Sequence, residues 1–198
     1  MIPRSFSDFY GDQTRWFIGQ VVDNKNDPLK LGRVKVKVFG VYDDIADEDL
    51  PWAQIIVPVT QGIHEGKGQN LGILVGTQVF GVFMDGQSSQ LPLVIGTIPK
   101  EGDAHERTKA NYPYNKVYAT ESGHYKEYDD TEGEERIKEH HKSGTHYELQ
   151  ADGSRVTVIQ KNDTLTVMGD VTINVTGSVN LKAGQSVTVS APVIKLNS

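Results

Sequence analysis

Three histidines close together, His140, His141 and His146, are the residues of this 198-residue chain whose types and spacing most invite a metal ion. His140 and His141 are adjacent, and neighbouring side chains on a strand point to opposite faces. They make a poor chelate unless symmetry brings copies of the chain together, so polar contacts at the surface or between chains are expected. The acidic group Asp129, Asp130, Glu132, Glu134 and Glu135 has the composition of paired catalytic carboxylates or of a calcium loop. It lacks EF-hand spacing, and Arg136 and Lys138 stand beside it to balance the charge; a solvated turn is expected. His64-Glu65 has no serine or cysteine nucleophile motif nearby. Arg33, Lys35 and Lys37 form a cationic stripe that could track a phosphate backbone, yet no aromatic platform accompanies it. Docking on another protein, or ion pairing with the acidic loop 43–49, is the expected role, and Trp16 and Trp52 are expected in a core. No residue is assigned to catalysis, to a cofactor or to a metal, and the chain is not expected to be an enzyme.

The elements that would have to position such groups are organised around residues 159–198, which divide into five octads: IQKNDTLT, VMGDVTIN, VTGSVNLK, AGQSVTVS and APVIKLNS. Leu165, Val167, Val171, Ile173, Val175, Val179, Leu181, Val187 and Val189, followed by Val193, fall on odd positions, while Thr, Ser, Asn, Asp and Lys hold the even ones. Such alternation describes a strand with one apolar and one wetted face. Gly169 and Gly177 recur at matching places, as the corners of successive passes. Each octad buries roughly three aliphatic side chains, worth about 1.5–3 kcal/mol apiece, against an ordering cost of about 1–2 kcal/mol for each of its eight residues. A single copy cannot close its own core, so several identical chains wound about a common axis are expected. A homotrimer is expected, since three stripes can enclose such a seam with little void, the number three resting in part on the resemblance given below.

Bulk properties fit one small domain plus a fibre. The net charge of −6 and pI near 5.5 argue against general nucleic-acid binding. With no cysteine there is neither a disulfide framework nor a thiolate metal site. No apolar run approaches bilayer length, and the N-terminus lacks a signal-peptide core. Residues 1–13 read as an arm, with Phe6, Phe9 and Tyr10 free to dock on a neighbour or to cover the adjacent barrel. Residues 14–99 hold five short strand patterns, RWFIGQVVD, LGRVKVKVFGV, WAQIIVPV, GTQVFGVFMDG and LPLVIGTI, bent by glycine. They predict an all-β, Greek-key OB-fold barrel. Residues 100–118 read as a linker. Residues 119–155 hold two related blocks, ESGHYKEYDDTEGEERI from Glu121 and KSGTHYELQADGSRVTV from Lys142, 21 residues apart. These are expected to be longer, earlier turns of the wound structure (a β-prism or β-helix start) that settles into the octads of 156–198.

The segments GQVVDNKNDPLKLGRVKVKVFG, LPWAQIIVPV, LPLVIGTI and ATESGHYKEYDDTEGEERIKEHHKSGTHYELQADGS together resemble the central spike proteins of contractile-tail phage baseplates, whose plan the VgrG spikes of type VI secretion systems share. The resemblance spans residues 14–198 and implies a trimeric, cell-puncturing needle in the virion's tail baseplate, made in the host cytoplasm. It implies an OB-fold barrel followed by an intertwined triple-stranded β-helix, with a hub protein at the barrel end. Arg33, Lys35 and Lys37 then become candidate hub contacts. A PAAR-like tip protein is implied at the far end, with passing contact to the bacterial outer membrane and no nucleic acid bound. Two features depart from the pattern. The interval between barrel and fibre is too short for the lysozyme domain of some members, and the C-terminus lacks the His-x-His pair that binds iron in others, so no apical metal is expected. After Pro192 the apolar parity shifts, leaving Ile194 and Leu196 either as candidate tip contacts or inside the fibre by way of a bulge. A VgrG-type spike and a polysaccharide-binding or cleaving tail protein are the alternatives; the chain's brevity favours a phage particle.

Overall fold

A computed structural model describes residues 14–68 and 72–195. The first five strands are β1 (Arg15–Asp23), β2 (Val34–Val38), β3 (Trp52–Ile55), β4 (Gln78–Phe83) and β5 (Pro92–Ile98). They close a barrel in the order β1-β2-β3-β5-β4, antiparallel except where β3 meets β5. Each coincides with a strand pattern expected from the sequence, because alternation sends Phe17, Val21, Val34, Val36, Val38, Val79, Phe83 and Val94 into one core. Phe17 and Phe83 meet there as tilted rings with centroids 4.9 Å apart, and Tyr42 meets Phe83 edge-on at 5.8 Å. Gly81 sits where β4 shifts register against β5, and a Cβ at this position would run into the Leu93 carbonyl and the Phe17 ring. The loop from β1 to β2 is tied by Asp27, whose carboxylate accepts backbone N–H bonds from Leu29, Leu31 and Arg33 and a forked pair from the Arg33 guanidinium.

Contrary to expectation, Trp16 is 65% exposed on the outside of the barrel. It lies next to Phe17 in β1, and when Phe17 points inward Trp16 must point out. Trp52 is half-buried beneath the cations of Arg33 and Lys35, at 5.9 and 5.2 Å.

The stretch 100–118 is more than a linker. It holds a one-turn helix, α1 (Glu106–Ala110), capped by the His105 ring accepting from the Arg107 N–H, and the start of the next strand. That strand, β6 (Asn115–Ala119), opens an antiparallel meander with β7 (Tyr125–Asp129), β8 (Arg136–His140), β9 (His146–Leu149) and β10 (Arg155–Val158), paired strictly in sequence order. The two related blocks, 21 residues apart, are therefore successive hairpin pairs of a single-chain sheet. Each of the turns joining these strands places a glycine in the left-handed region, at Gly123, Gly133, Gly144 and Gly153, a conformation that an L side chain strains to adopt.

From residue 159 to 195 there is neither helix nor pairing within the chain, and every residue is exposed. A strand ladder needs a neighbour to accept its hydrogen bonds, and among the described residues this chain supplies none. No described helix is long and apolar enough to cross a membrane.

Candidate functional site

Two features stand out beyond the barrel, one in the octads and one in the meander. The first is the apolar stripe itself. Leu165, Ile173 and Leu181 are 79%, 77% and 80% exposed, and Val167, Val171, Val175, Val179, Val187, Val189 and Val193 are exposed with them. Isolated exposed aliphatics need no explanation, but a continuous periodic row of them marks an association surface. Nothing lies within 4 Å of a Cβ built on Gly169 or Gly177, so in the single chain no crowding demands glycine at either corner. Ile194 is half-exposed, and Leu196 lies outside the described residues.

The second feature is a buried charge network that fastens α1 to the meander. Alternation along β7 turns Tyr125, Glu127 and Asp129 to one face, toward α1. Glu127 is fully buried, and its carboxylate accepts a forked pair from Arg107 at 2.9 and 2.8 Å. The Asn115 amide donates to it at 2.6 Å and Arg136 at 3.2 Å. Asp129 accepts from Asn111, Arg136 and the Thr131 hydroxyl and N–H. Burial pushes both carboxyls upward, but the guanidinium and amide donors around Glu127, and Thr131 and Asn111 around Asp129, outweigh it and hold both below their ordinary values. Both remain ionised acceptors, each satisfied by several donors, which leaves neither a proton to give nor a lone pair directed at a substrate. Alongside, Lys138 pairs with Glu148 at 2.8 Å.

This network corrects the reading of the acidic group: Asp129 is buried and structural, while Asp130, Glu132, Glu134 and Glu135 are exposed, Asp130 pairing with Lys116. Glu127, the most buried carboxylate, is absent from the sequence-based candidates. Nothing local marks it, because Arg107 and Asn115 come from the stretch read as a linker and Arg136 comes from the next strand. The one available signal was its place between Tyr125 and Asp129 on a single strand face.

His140 and His146 face each other at 6.1 Å, with Tyr125 stacked on His140 at 4.6 Å, while His141 leaves for the turn and packs on His124. The described residues contain no group of three or more acidic, histidine or cysteine side chains placed to hold a metal. Burial, then Lys138 and His146, push the His140 ring below its ordinary pKa. His64 and Glu65 are an exposed pair at 3.7 Å.

Nor is the cationic stripe free. Arg33 is held by Asp27 at 2.6 Å. Lys35 is buried and donates to the Glu48 carbonyl, and Lys37 donates to the Ile45 carbonyl and pairs with Asp47 at 3.3 Å. Two of the three cations are thus engaged by the acidic loop, and the third by the turn before β2.

Comparison with known proteins places this arrangement. The family pattern described as the Gp5 N-terminal OB domain matches residues 33–179, from the end of the β1–β2 loop well into the octads. Protein Gp5 of Vibrio phage KVP40 is 25% identical over an aligned span of 282 residues, covering 89% of this chain and 67% of that protein. The span exceeds this chain's own length, so that relative carries residues opposite gaps here. The pre-baseplate central spike protein Gp5 of Enterobacteria phage T4 is 39% identical over 92 residues, 41% of this chain but only 16% of that protein.

Proposed function

The chain belongs to the family of the Gp5 N-terminal OB domain, and from that premise we propose that it forms the homotrimeric central spike of a contractile phage tail, puncturing the host outer membrane when the sheath contracts. The observation that carries this reading is the row of aliphatic side chains from Leu165 to Val193, left in water by the single chain. Three such rows close on one another as an intertwined triple-stranded β-helix, and the exposed Thr, Ser and Asn of the other face become its coat. Wound strands share an axial load among many backbone hydrogen bonds, and a coat of short polar side chains offers lipid and sugar little to grip.

The barrel end meets a hub protein, and the far end, with Ile194 and Leu196, carries a PAAR-like tip protein. The spike acts by force, with no catalytic step of its own and no bound nucleic acid. The name of the T4 relative, a pre-baseplate central spike protein, and the phage origin of both relatives support assignment to that particle. The test is the solution mass of the full chain. A mass of three chains is expected, falling to one when Leu165, Ile173 and Leu181 are all changed to Asp. A well-folded monomer of the unaltered chain at micromolar concentration would overturn the reading.

A further inference from the structure

The meander ends in an open strand edge. The register of β9 and β10 continues the bond from the Gln150 N–H to the Ser154 carbonyl in their turn. Val156 and Val158 therefore bond inward, while Arg155 and Thr157 turn their N–H and C=O groups away from the sheet. No described residue accepts or donates to those outward groups. The other edge, β6, is partly closed, because the Asn115 N–H donates to the Asn111 carbonyl just past α1 at 3.1 Å. Nor does the chain double back to cover β10. The Gln160 N–H donates to the Thr145 hydroxyl at 3.1 Å, and a Cβ on Gly144 would lie 3.2 Å from the Gln160 side-chain amide. The segment is thus held beside the β8–β9 turn and runs straight on, and residues 159–195 pair with nothing in their own chain.

A row of outward backbone groups is matched in full by one kind of partner, another extended backbone. We propose that this partner is a second copy of the chain, whose first octad strand, residues 163–168, adds to the β10 edge. Each copy gives its octad to one neighbour and receives that of the other; the proposal rests on the three-chain reading above. The side chains suit the exchange: Val156 and Val158 are the half-buried residues of β10, and Leu165 and Val167 laid alongside extend the same apolar row. So does the exit of the chain. At about 3.3 Å per extended residue, residues 159–162 carry it on by roughly 13 Å, about the length of β10 itself, which sets the octad down on the next side of a three-sided shaft. The giving and receiving surfaces differ, and such a contact forms a closed ring when each copy is rotated by a third of a turn. A chain running straight on round that axis keeps its sense of circulation, so the incoming strand lies parallel to β10. Meander and shaft are thereby hydrogen-bonded between chains, and a load on the shaft reaches the sheets directly rather than through a single connecting peptide.

The full-length, cysteine-free chain suits a cross-linking test. Thr157→Cys combined with Thr164→Cys, or with Thr166→Cys to bracket the register, is expected to yield covalent species of two and three chains under mild oxidation or with a short bismaleimide. Lys116→Cys, on β6, combined with Thr166→Cys is not. In the unaltered protein, amide hydrogen exchange at Arg155 and Thr157 is expected to be slow. It should accelerate by about tenfold or more when Leu165, Ile173 and Leu181 are all changed to Asp and the copies separate. Links that form within one chain, equal linking of the β6 pair, or exchange at Arg155 and Thr157 as fast in the unaltered protein as in the separated variant each overturns the proposal. A solution mass of three chains without links at Thr157 rejects the strand exchange and leaves the spike standing, whereas a mass of one chain rejects both.

Discussion

At the scale of single residues, the barrel and the meander are each fastened by a carboxylate that organises backbone and cations around itself. Asp27 is the sharper case: the Arg33 guanidinium hydrogen bonds, opposed by burial and joined by three backbone N–H groups, draw its pKa from the ordinary 3.8 down to about 2. A carboxyl depressed in the folded state contributes stability that is fully present above its unfolded value and is lost as pH falls through the folded one. Acid unfolding of the barrel should therefore carry a component between pH 3.8 and about 2. Asp27→Asn is expected to remove it, which a series of thermal midpoints across that window would show. At Glu127 two guanidiniums converge, that of Arg107 as a forked pair and that of Arg136, which also bonds Asp129. Glu127→Ala is expected to cost about 3 kcal/mol, the usual penalty for orphaning one side of a buried ion pair, read as a lower denaturant midpoint. Glu127→Gln should recover part of that loss, since its amide oxygen still accepts from Arg107.

At the scale of elements, the glycine within β4 is a tight constraint on the barrel. Gly81→Ala must move either the Phe17 ring or the Leu93 carbonyl. It is expected to destabilise the barrel by ~1–3 kcal/mol, as overpacked cores do, whereas Gly96→Ala meets nothing within 4 Å and should be nearly silent. A paired denaturation experiment separates the two. The barrel strands were legible because Val34, Val36 and Val38 against Lys35 and Lys37 form a period-two signal that needs no long-range knowledge. What escaped was whatever depended on partners distant in sequence. Trp16 reads as core by type, but its parity with Phe17 puts it outside. Lys35 and Lys37 read as docking on another protein or pairing with the acidic loop 43–49; that loop does engage them, but through the carbonyls of Ile45 and Glu48 as well as the Asp47 carboxylate, which charge alone does not reveal. The α1 turn is too short to show a periodicity, so the network around Glu127 could not be assembled from the sequence.

At the scale of the whole molecule, the described chain divides into parts that complete their own hydrogen bonding and one that does not. Barrel and meander each close within the chain, so replacing Leu165, Ile173 and Leu181 by Asp should abolish association while leaving the barrel's unfolding transition in place. Circular dichroism on heating, alongside the solution mass, would show whether both hold. If the barrel transition vanished together with association, the two parts would be one cooperative unit, contrary to a barrel core that draws no described residue from the octads.

The meander has five strands, an odd number, and each hairpin reverses the chain. β10 consequently runs in the same sense as β6, and the octads depart from the flank of the sheet toward which β6 ran. Deleting one strand would deliver them to the opposite flank; deleting or inserting two preserves the exit and changes only the height, by about 9–10 Å at the spacing of neighbouring strands. Residues 121–141, the repeat visible in the bare sequence, contain one such pair, β7 and β8. Duplicating them should lengthen the shaft without redirecting it, so a spike of this design can be tuned for reach only in even steps.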